Sequence, residues 1–272
     1  MNEINTIFII SKNRPHCLTA KLLEKLNYSG DWFICVQKDD EDIEEYYTNF
    51  SKKIITYDYH KTKNQTDMLD NFSNETGGAA PARNAVLKIA EDLNLKRFWL
   101  FDDDFLSFTI PKPHSKSRTV IKQGTTLEKA LNILANFGEK TNQNIGFCVD
   151  MSRYPPSRGD INFYIRGAYN LKTDSLKFRS RMEEDLCFNI DTYHNIGTIN
   201  IAFKILGFTT KGSSSEKGGL TDLYEKEGGI RRGAYNILIS PHSTVKKDIF
   251  GYSGFPKWRY YVPKIVNEKY RK

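Results

Sequence analysis

No long apolar run occurs anywhere in the 272 residues, and nothing approaches the ~18 consecutive apolar positions of a membrane-spanning helix. The opening stretch, MNEINTIFIISKNRP, has one short apolar run behind acidic Glu3 and lacks the basic flank and apolar length of a secretory leader. These absences predict a soluble protein that stays in the cytoplasm. Cysteine is scarce. The four present are Cys17, Cys35, Cys148 and Cys187, and none forms a CxxC pair, which argues against a zinc site. Cys35 and Cys148 lie inside apolar runs and read as buried free thiols, as suits a reducing compartment. Histidine is equally sparse, and His16, His60, His114 and His194 show no partner pattern. Internal repeats and low-complexity tracts are missing.

Aromatic residues are abundant, at 13%, most of them Phe and Tyr, so the chain can pack a core and global disorder is excluded. Its length suits one large α/β domain. The formal net charge of +7 points to an anionic partner, although lysine-rich surfaces also occur without one.

Short β-branched and aromatic runs alternate with helical spacing. Thr6–Ile10, Trp32–Gln37, Ile54–Tyr57, Phe98–Phe101 and Ile145–Val149 read as buried strands. Cys17–Leu26, Ala82–Leu93 and Leu127–Phe137 read as helices with one apolar face. This rhythm predicts βαβ units and a mixed, mostly parallel sheet flanked by helices. Residues 60–80 read as a polar loop, and residues 111–124 as a basic, mobile loop that adds Lys112, Lys116, Arg118 and Lys122 to the cationic surface. Further on, Phe163–Asn170 and Thr198–Phe203 look like strands, 153–160 like a Pro/Gly loop, Glu183–Ile190 like a helix and 207–229 like a flexible lid. No sharp boundary appears, so the division is a domain over 1–241 and a C-terminal basic, aromatic extension over 242–272.

FWLFDDDF is the most informative segment. A strand apolar throughout is buried on both faces, and carboxylates at its end must be solvated, paired or bound to metal. Ligands bind beyond the carboxyl ends of strands in open α/β sheets. Asp102 and Asp104 are two apart, so in extended backbone they point the same way. Two oxygens on one side suit Mg²⁺ or Mn²⁺ bridging to phosphate. The alternative is an acidic surface turn.

The order of segments resembles the GT-A (Rossmann-like) glycosyltransferases. The carriers are IFIISKNRP, the strand running into Asp39-Asp40, GGAAPARNAVLKIA and FWLFDDDF, over roughly residues 5–190. The resemblance implies a UDP-sugar donor and a divalent ion. By it, Ser11 and Arg14 line the nucleotide pocket, with Asp39 or Asp40 near the base. Arg83 approaches the diphosphate and Asn84 braces its loop. Asp102 and Asp103 face the nucleotide-sugar, Asp104 binds the metal with Asp102, and His242 is a further metal ligand. In RSRMEEDLCFNID, Asp185 is the favoured catalytic base and Glu184 the alternate; acidic residues also simply favour a first helical turn.

The tail from His242 carries eight Lys/Arg against two acids, interleaved with aromatics. Cations meet phosphates and aromatic faces stack on bases, so Lys246, Lys247, Lys257, Trp258, Arg259 and Tyr260 are candidate acceptor contacts. Taken together, the arrangement looks like the phage-type glycosyltransferases associated with TET/JBP base oxygenases. That implies transfer to a hydroxymethylated pyrimidine in double-stranded DNA, in the host cytoplasm if phage-encoded. Two alternatives stand beside it: a polysaccharide, lipid-linked or protein acceptor, and a metal-dependent nucleic-acid-binding protein or nuclease. Oligomeric state is left open.

Overall fold

The computed structural model describes residues 6–69, 78–112, 117–149, 161–162 and 165–211, with 235, 238–239, 244–248 and 257–261. The expected 153–160 loop, His242 and the lid residues from 212 onward lie outside the described residues.

The first half alternates strands and helices as the sequence predicts, with two helices it did not predict, over Ile43–Phe50 and Tyr59–Asn64. Strand β1 (Ile7–Ile10) is followed by helix α1 (Leu18–Lys25), β2 (Trp32–Gln37), α2 (Ile43–Phe50), β3 (Ile54–Tyr57), α3 (Tyr59–Asn64), α4 (Ala80–Asp92) and β4 (Arg97–Asp102). The rest comprises β5 (Phe105–Pro111), β6 (Arg118–Val120), α5 (Gly124–Thr141), β7 (Ile145–Val149), β8 (Ile161–Asn162), β9 (Ala168–Lys172), α6 (Glu184–Asp191) and β10 (Ile201–Thr210). The main sheet has the order β3-β2-β1-β4-β9-β7-β10-β5-β6, with β8 on β10. Strands β1, β2, β3, β4, β7 and β10 run in one direction, while β9, β5 and β8 oppose them. The sheet is mixed and mostly parallel, flanked by helices.

Strand alternation sorts the core into two layers. Ile7 and Ile9 of β1, with Trp99 and Phe101 of β4, pack with Leu22 and Leu23 of α1 and Leu127 and Leu131 of α5. Phe8 and Ile10, with Phe98 and Leu100, face Val86 and Leu87 of α4 and Phe188 of α6. Because both faces of β1 and β4 are covered, these strands end abruptly on polar residues at their carboxyl edge. That edge holds the candidate site. Cys17, Cys35 and Cys187 are buried free thiols.

Several sequence expectations are corrected. The supposed loop over 60–80 contains most of α3, which starts where the Asp58 carboxylate accepts from the Lys61 amide at 2.8 Å. α4 begins earlier than expected, at Ala80, with Pro81 in its first turn. The 111–124 region is not simply a mobile loop, since β6 pairs with β5. Arg118 there is committed to the fold: it donates to Thr109 Oγ1 (2.9 Å), Thr109 O (2.9 Å) and Lys204 O (2.7 Å). β5 itself was not anticipated. Of the strand expected over 163–170, residues 168–170 lie in β9, which runs on to Lys172, while β8 precedes the span. Gly207–Thr210, assigned to a lid, completes β10 and pairs with β5.

Strands β11 (Thr244–Asp248) and β12 (Lys257–Tyr261) form a separate antiparallel ladder, pairing Lys247 with Trp258 and Lys246 with Arg259.

Candidate active site at the carboxyl edge of β4

Three consecutive acids cap β4, each in a different environment. Asp102 Oδ1 accepts from Arg83 Nη2 at 3.0 Å, and the Asp102 side chain is about one-third exposed at 34%. Asp103 points inward, where Oδ2 accepts from Ser11 Oγ (2.7 Å) and Oδ1 from Arg14 Nη1 (2.8 Å). Asp104 has no ion pair among the described residues. Burial, then the adjacent Asp102 and Asp103 carboxylates, push it up to about 7, with Arg14 pulling the other way. Burial also raises Asp102 and Asp103, against the pull of Arg83 and Arg14 respectively.

The backbone around this turn is tied from outside. Asp102 N donates to Gly167 O (2.9 Å), and Thr19 of α1 reaches Asp102, Asp103 and Phe105. Gly167 sits at φ +71°, and a Cβ there would lie 3.2 Å from Asp102 Oδ2. Glycine therefore keeps clear the oxygen that Arg83 does not use.

The loop after β1 is stapled to the same edge. The Ser11 and Tyr46 hydroxyls lie 2.6 Å apart, and Tyr46 Oη accepts from Arg14 N at 2.9 Å. Asp40 is buried and accepts from Asn13 N and Asp42 N, both at 3.0 Å. Asp39 is exposed and pairs with His60 at 3.3 Å. The two acids weighed for one role are thus unlike: Asp40 builds the loop and Asp39 faces solvent.

Arg83 is the hub. It is 3% exposed, and it joins Asp102 to Glu184 Oε1 through Nη2 (3.2 Å) and Nε (3.3 Å). Its guanidinium lies over the Tyr169 ring at 4.9 Å and near Phe178 at 5.6 Å. Burial opposes its charge, and Asp102, with Tyr169, Glu184 and Asp185, more than offsets that. Its Nη1 is buried without a hydrogen-bond partner among the described residues. Asn84 braces the next layer: Nδ2 donates to Phe178 O (2.8 Å) and Oδ1 accepts from Phe178 N (2.7 Å). Gly78, at φ +83°, lets the loop before α4 approach the Arg181 carbonyl, which a Cβ would meet at 2.6 Å.

Glu184 and Asp185 open α6. Glu184 is buried against Arg83, and that burial raises its carboxyl despite the guanidinium. Asp185 is less buried and adds to the field felt by Arg83, Asp102 and Tyr169. The helix start is anchored by Asn189, whose Nδ2 donates to Asp185 O (2.6 Å) and Ile165 O (2.9 Å) while Oδ1 accepts from Ile165 N (3.0 Å). Asn200 extends this chain with a donor to Asn189 Oδ1 at 3.1 Å.

Ser11, Arg14, Asp40, Arg83, Asn84, Asp102, Asp103, Asp104, Glu184 and Asp185 therefore lie along one edge of the sheet. His242 lies outside the described residues. Only backbone pairing is described for Lys246, Lys247, Lys257, Trp258, Arg259 and Tyr260. Among the described residues no cluster of three or more His, Cys, Asp or Glu is arranged to hold a metal by itself. Sequence reasoning missed Thr19, Tyr46, Gly167, Tyr169 and Asn189.

The fold matches solved nucleotide-sugar transferases. A mycobacterial protein of unstated activity is similar with a TM-score of 0.50 and 10% identity, covering 97% of this chain and 86% of that one. Glucosyl-3-phosphoglycerate synthase from Mycobacterium tuberculosis, solved with Mn²⁺, UDP-glucose and phosphoglyceric acid, is similar with a TM-score of 0.50 and 11% identity, covering 88% and 79%. At that identity the likeness establishes the fold, which is GT-A. No curated protein matches the sequence. A family model for the TET-associated glycosyltransferases matches residues 5–219, and the chain belongs to that family. It is a glycosyltransferase, which sets aside the nuclease reading of its acids. Among the described residues no helix is long and apolar enough to cross a membrane.

Proposed function

We propose that the enzyme transfers a sugar from a UDP-sugar to a hydroxymethylated pyrimidine in DNA, using Mn²⁺ or Mg²⁺. The observation that carries the reading is the acidic turn at β4, where Asp102 and Asp103 are bound by arginines and Asp104, among the described residues, is not. The residues present fit a divalent ion. Asp104 lies against two other carboxylates, and Gly167 leaves room at Asp102 Oδ2. Mg²⁺-type sites commonly use one or two carboxylates and take further oxygens from substrate phosphates. Asp104 and Asp102 would hold the ion, with His242 as a further ligand. When bound, it supplies positive charge to the departing diphosphate. The Mn²⁺ and UDP-glucose named in the synthase complex support the same donor chemistry here.

Ser11, Arg14 and Asp40 shape the nucleotide loop, and Asp39 lies at its solvent edge. Asp103 holds that loop to the acidic turn. Arg83 offers Nη1, which has no hydrogen-bond partner among the described residues, to a phosphate oxygen, and Asn84 keeps the Phe178 segment against it. Asp185 takes the proton of the acceptor hydroxyl as that oxygen attacks the anomeric carbon, the bond to diphosphate breaks, and UDP leaves. Glu184 is the weaker candidate for the base, because it is buried and engaged with Arg83.

The DNA acceptor is supported by the family and by the basic, aromatic extension over 242–272, appended to a catalytic unit over 1–241. Lys246, Lys247, Lys257, Trp258, Arg259 and Tyr260 would contact phosphates and an extruded base. The buried free thiols of Cys17, Cys35 and Cys187 support a reducing, cytoplasmic setting.

The test is transfer from common UDP-sugars to hydroxymethylated duplex DNA, with and without Mn²⁺. Mass added to the base only with metal supports the proposal. Transfer to a glycan, lipid-linked or protein acceptor, with none to DNA, would replace the acceptor and keep the donor site.

A further inference from the structure

The backbone of the turn carrying the three acids leans on Thr19 as well as on the Gly167 carbonyl. Thr19, in the first turn of α1, is fully buried. Its hydroxyl donates to Asp102 O at 2.6 Å and accepts from Phe105 N at 3.0 Å. Its own amide donates to Asp103 O at 3.1 Å. One residue thus engages the backbone on both sides of Asp104, from a helix more than eighty positions earlier in the chain.

The flanking side chains are fixed as well, Asp102 by Arg83 and Asp103 by Ser11 and Arg14. Asp104 has no such anchor of its own among the described residues. The direction of its carboxylate is therefore inherited from the backbone, which Thr19 holds on both sides of Asp104 and the Gly167 carbonyl holds at Asp102. A hydroxyl serves here because it donates and accepts at once. A side chain of the same shape without the hydroxyl would fill the space and leave the Asp102 carbonyl and Phe105 amide unmatched.

We propose that Thr19 is a positioning residue for the cation-and-diphosphate site, aiming Asp104 by clamping the turn around it. The inference rests on the reading of Asp102 and Asp104 as the donor site. Catalytic geometry tolerates small displacements poorly, so a loosened turn affects function before it affects the fold.

The experiment compares full-length wild type, Thr19→Val and Thr19→Ser by calorimetric titration with UDP, with and without saturating Mn²⁺. Thermal unfolding verifies that each is folded. Thr19→Val is expected to weaken Mn²⁺-dependent UDP binding by ~10-fold, in line with the loss of one or two oriented hydrogen bonds. Its metal-free UDP affinity is expected to match wild type, and Thr19→Ser to recover to within ~3-fold. Thr19→Ala takes the place of the valine variant if that one does not fold. A folded, hydroxyl-free variant with wild-type Mn²⁺-dependent affinity overturns the proposal, as does an equal loss with and without metal. If wild type itself binds no UDP with Mn²⁺, the donor-site reading falls, and the inference with it.

Discussion

Arg83 Nη2 lies 3.0 Å from Asp102 Oδ1 and 3.2 Å from Glu184 Oε1, so one buried guanidinium ties the end of β4 to the start of α6. Removing it would leave Glu184, itself 4% exposed, as a buried acid without its cation. Arg83→Ala is expected to lose ~3–5 kcal/mol of stability in denaturant titration, along with activity. Arg83→Lys should rescue little, because an ammonium cannot serve both carboxylates and lie flat over Tyr169.

Asp104 is held next to Asp102 and Asp103, and this crowding is unfavourable while no cation is bound. Asp104→Asn is expected to stabilise the metal-free protein at pH 8 by ~1 kcal/mol, a rise in Tm of ~2–4 °C, while abolishing metal-dependent donor binding. The sign follows from linkage. A carboxyl raised in the folded state costs stability as pH climbs from its ordinary unfolded value of 3.8 to about 7. The advantage of the asparagine variant should therefore be full above pH 7 and shrink on acidification. Melting curves from pH 5 to pH 8 check it.

Asn189 holds the backbone of Asp185 at 2.6 Å and that of Ile165 at 2.9 Å. Asn189→Leu removes those donors from a buried site and should cost ~2 kcal/mol. Asn189→Asp keeps the shape and the acceptor but loses the donor. It is expected to lower kcat by ~10-fold with the KM for the UDP-sugar little changed, since Asn189 bonds the backbone of Asp185 and Ile165 and none of the residues proposed to hold the donor. Steady-state kinetics on a folded variant decide this.

Arg118 lies in the basic segment read as part of the cationic surface, yet its guanidinium is spent on Thr109 and Lys204. Arg118→Ala should reduce stability by ~1–2 kcal/mol and leave retention on a DNA column unchanged. Joint replacement of Lys246, Lys247 and Arg259 should weaken that retention and flatten its salt dependence.

The contrast between β4 and β6 explains what was legible. β4 announces itself because a strand covered on both faces must be apolar throughout, and FWLF running into three acids marks where the cover stops. The segment around Arg118 to Val120 is polar and short; it becomes a strand because β5 pairs with it and Lys204 accepts from Arg118, neither of which is a local signal. α3 was missed because its residues lack an apolar stripe, although Asp58 ahead of Lys61 was a readable cap. Within the site, acids and arginines were visible as chemistry. Thr19, Tyr169 and Asn189 were not, since their roles exist only where distant strands and helices converge.

The most direct measurement of the central claim is a calorimetric titration of UDP into wild type and Asp104→Ala, each with and without Mn²⁺. The account predicts Mn²⁺-dependent binding in wild type that falls by at least ~10-fold in the variant while both remain folded. UDP binding of equal strength in both proteins, or none in folded wild type, would contradict it.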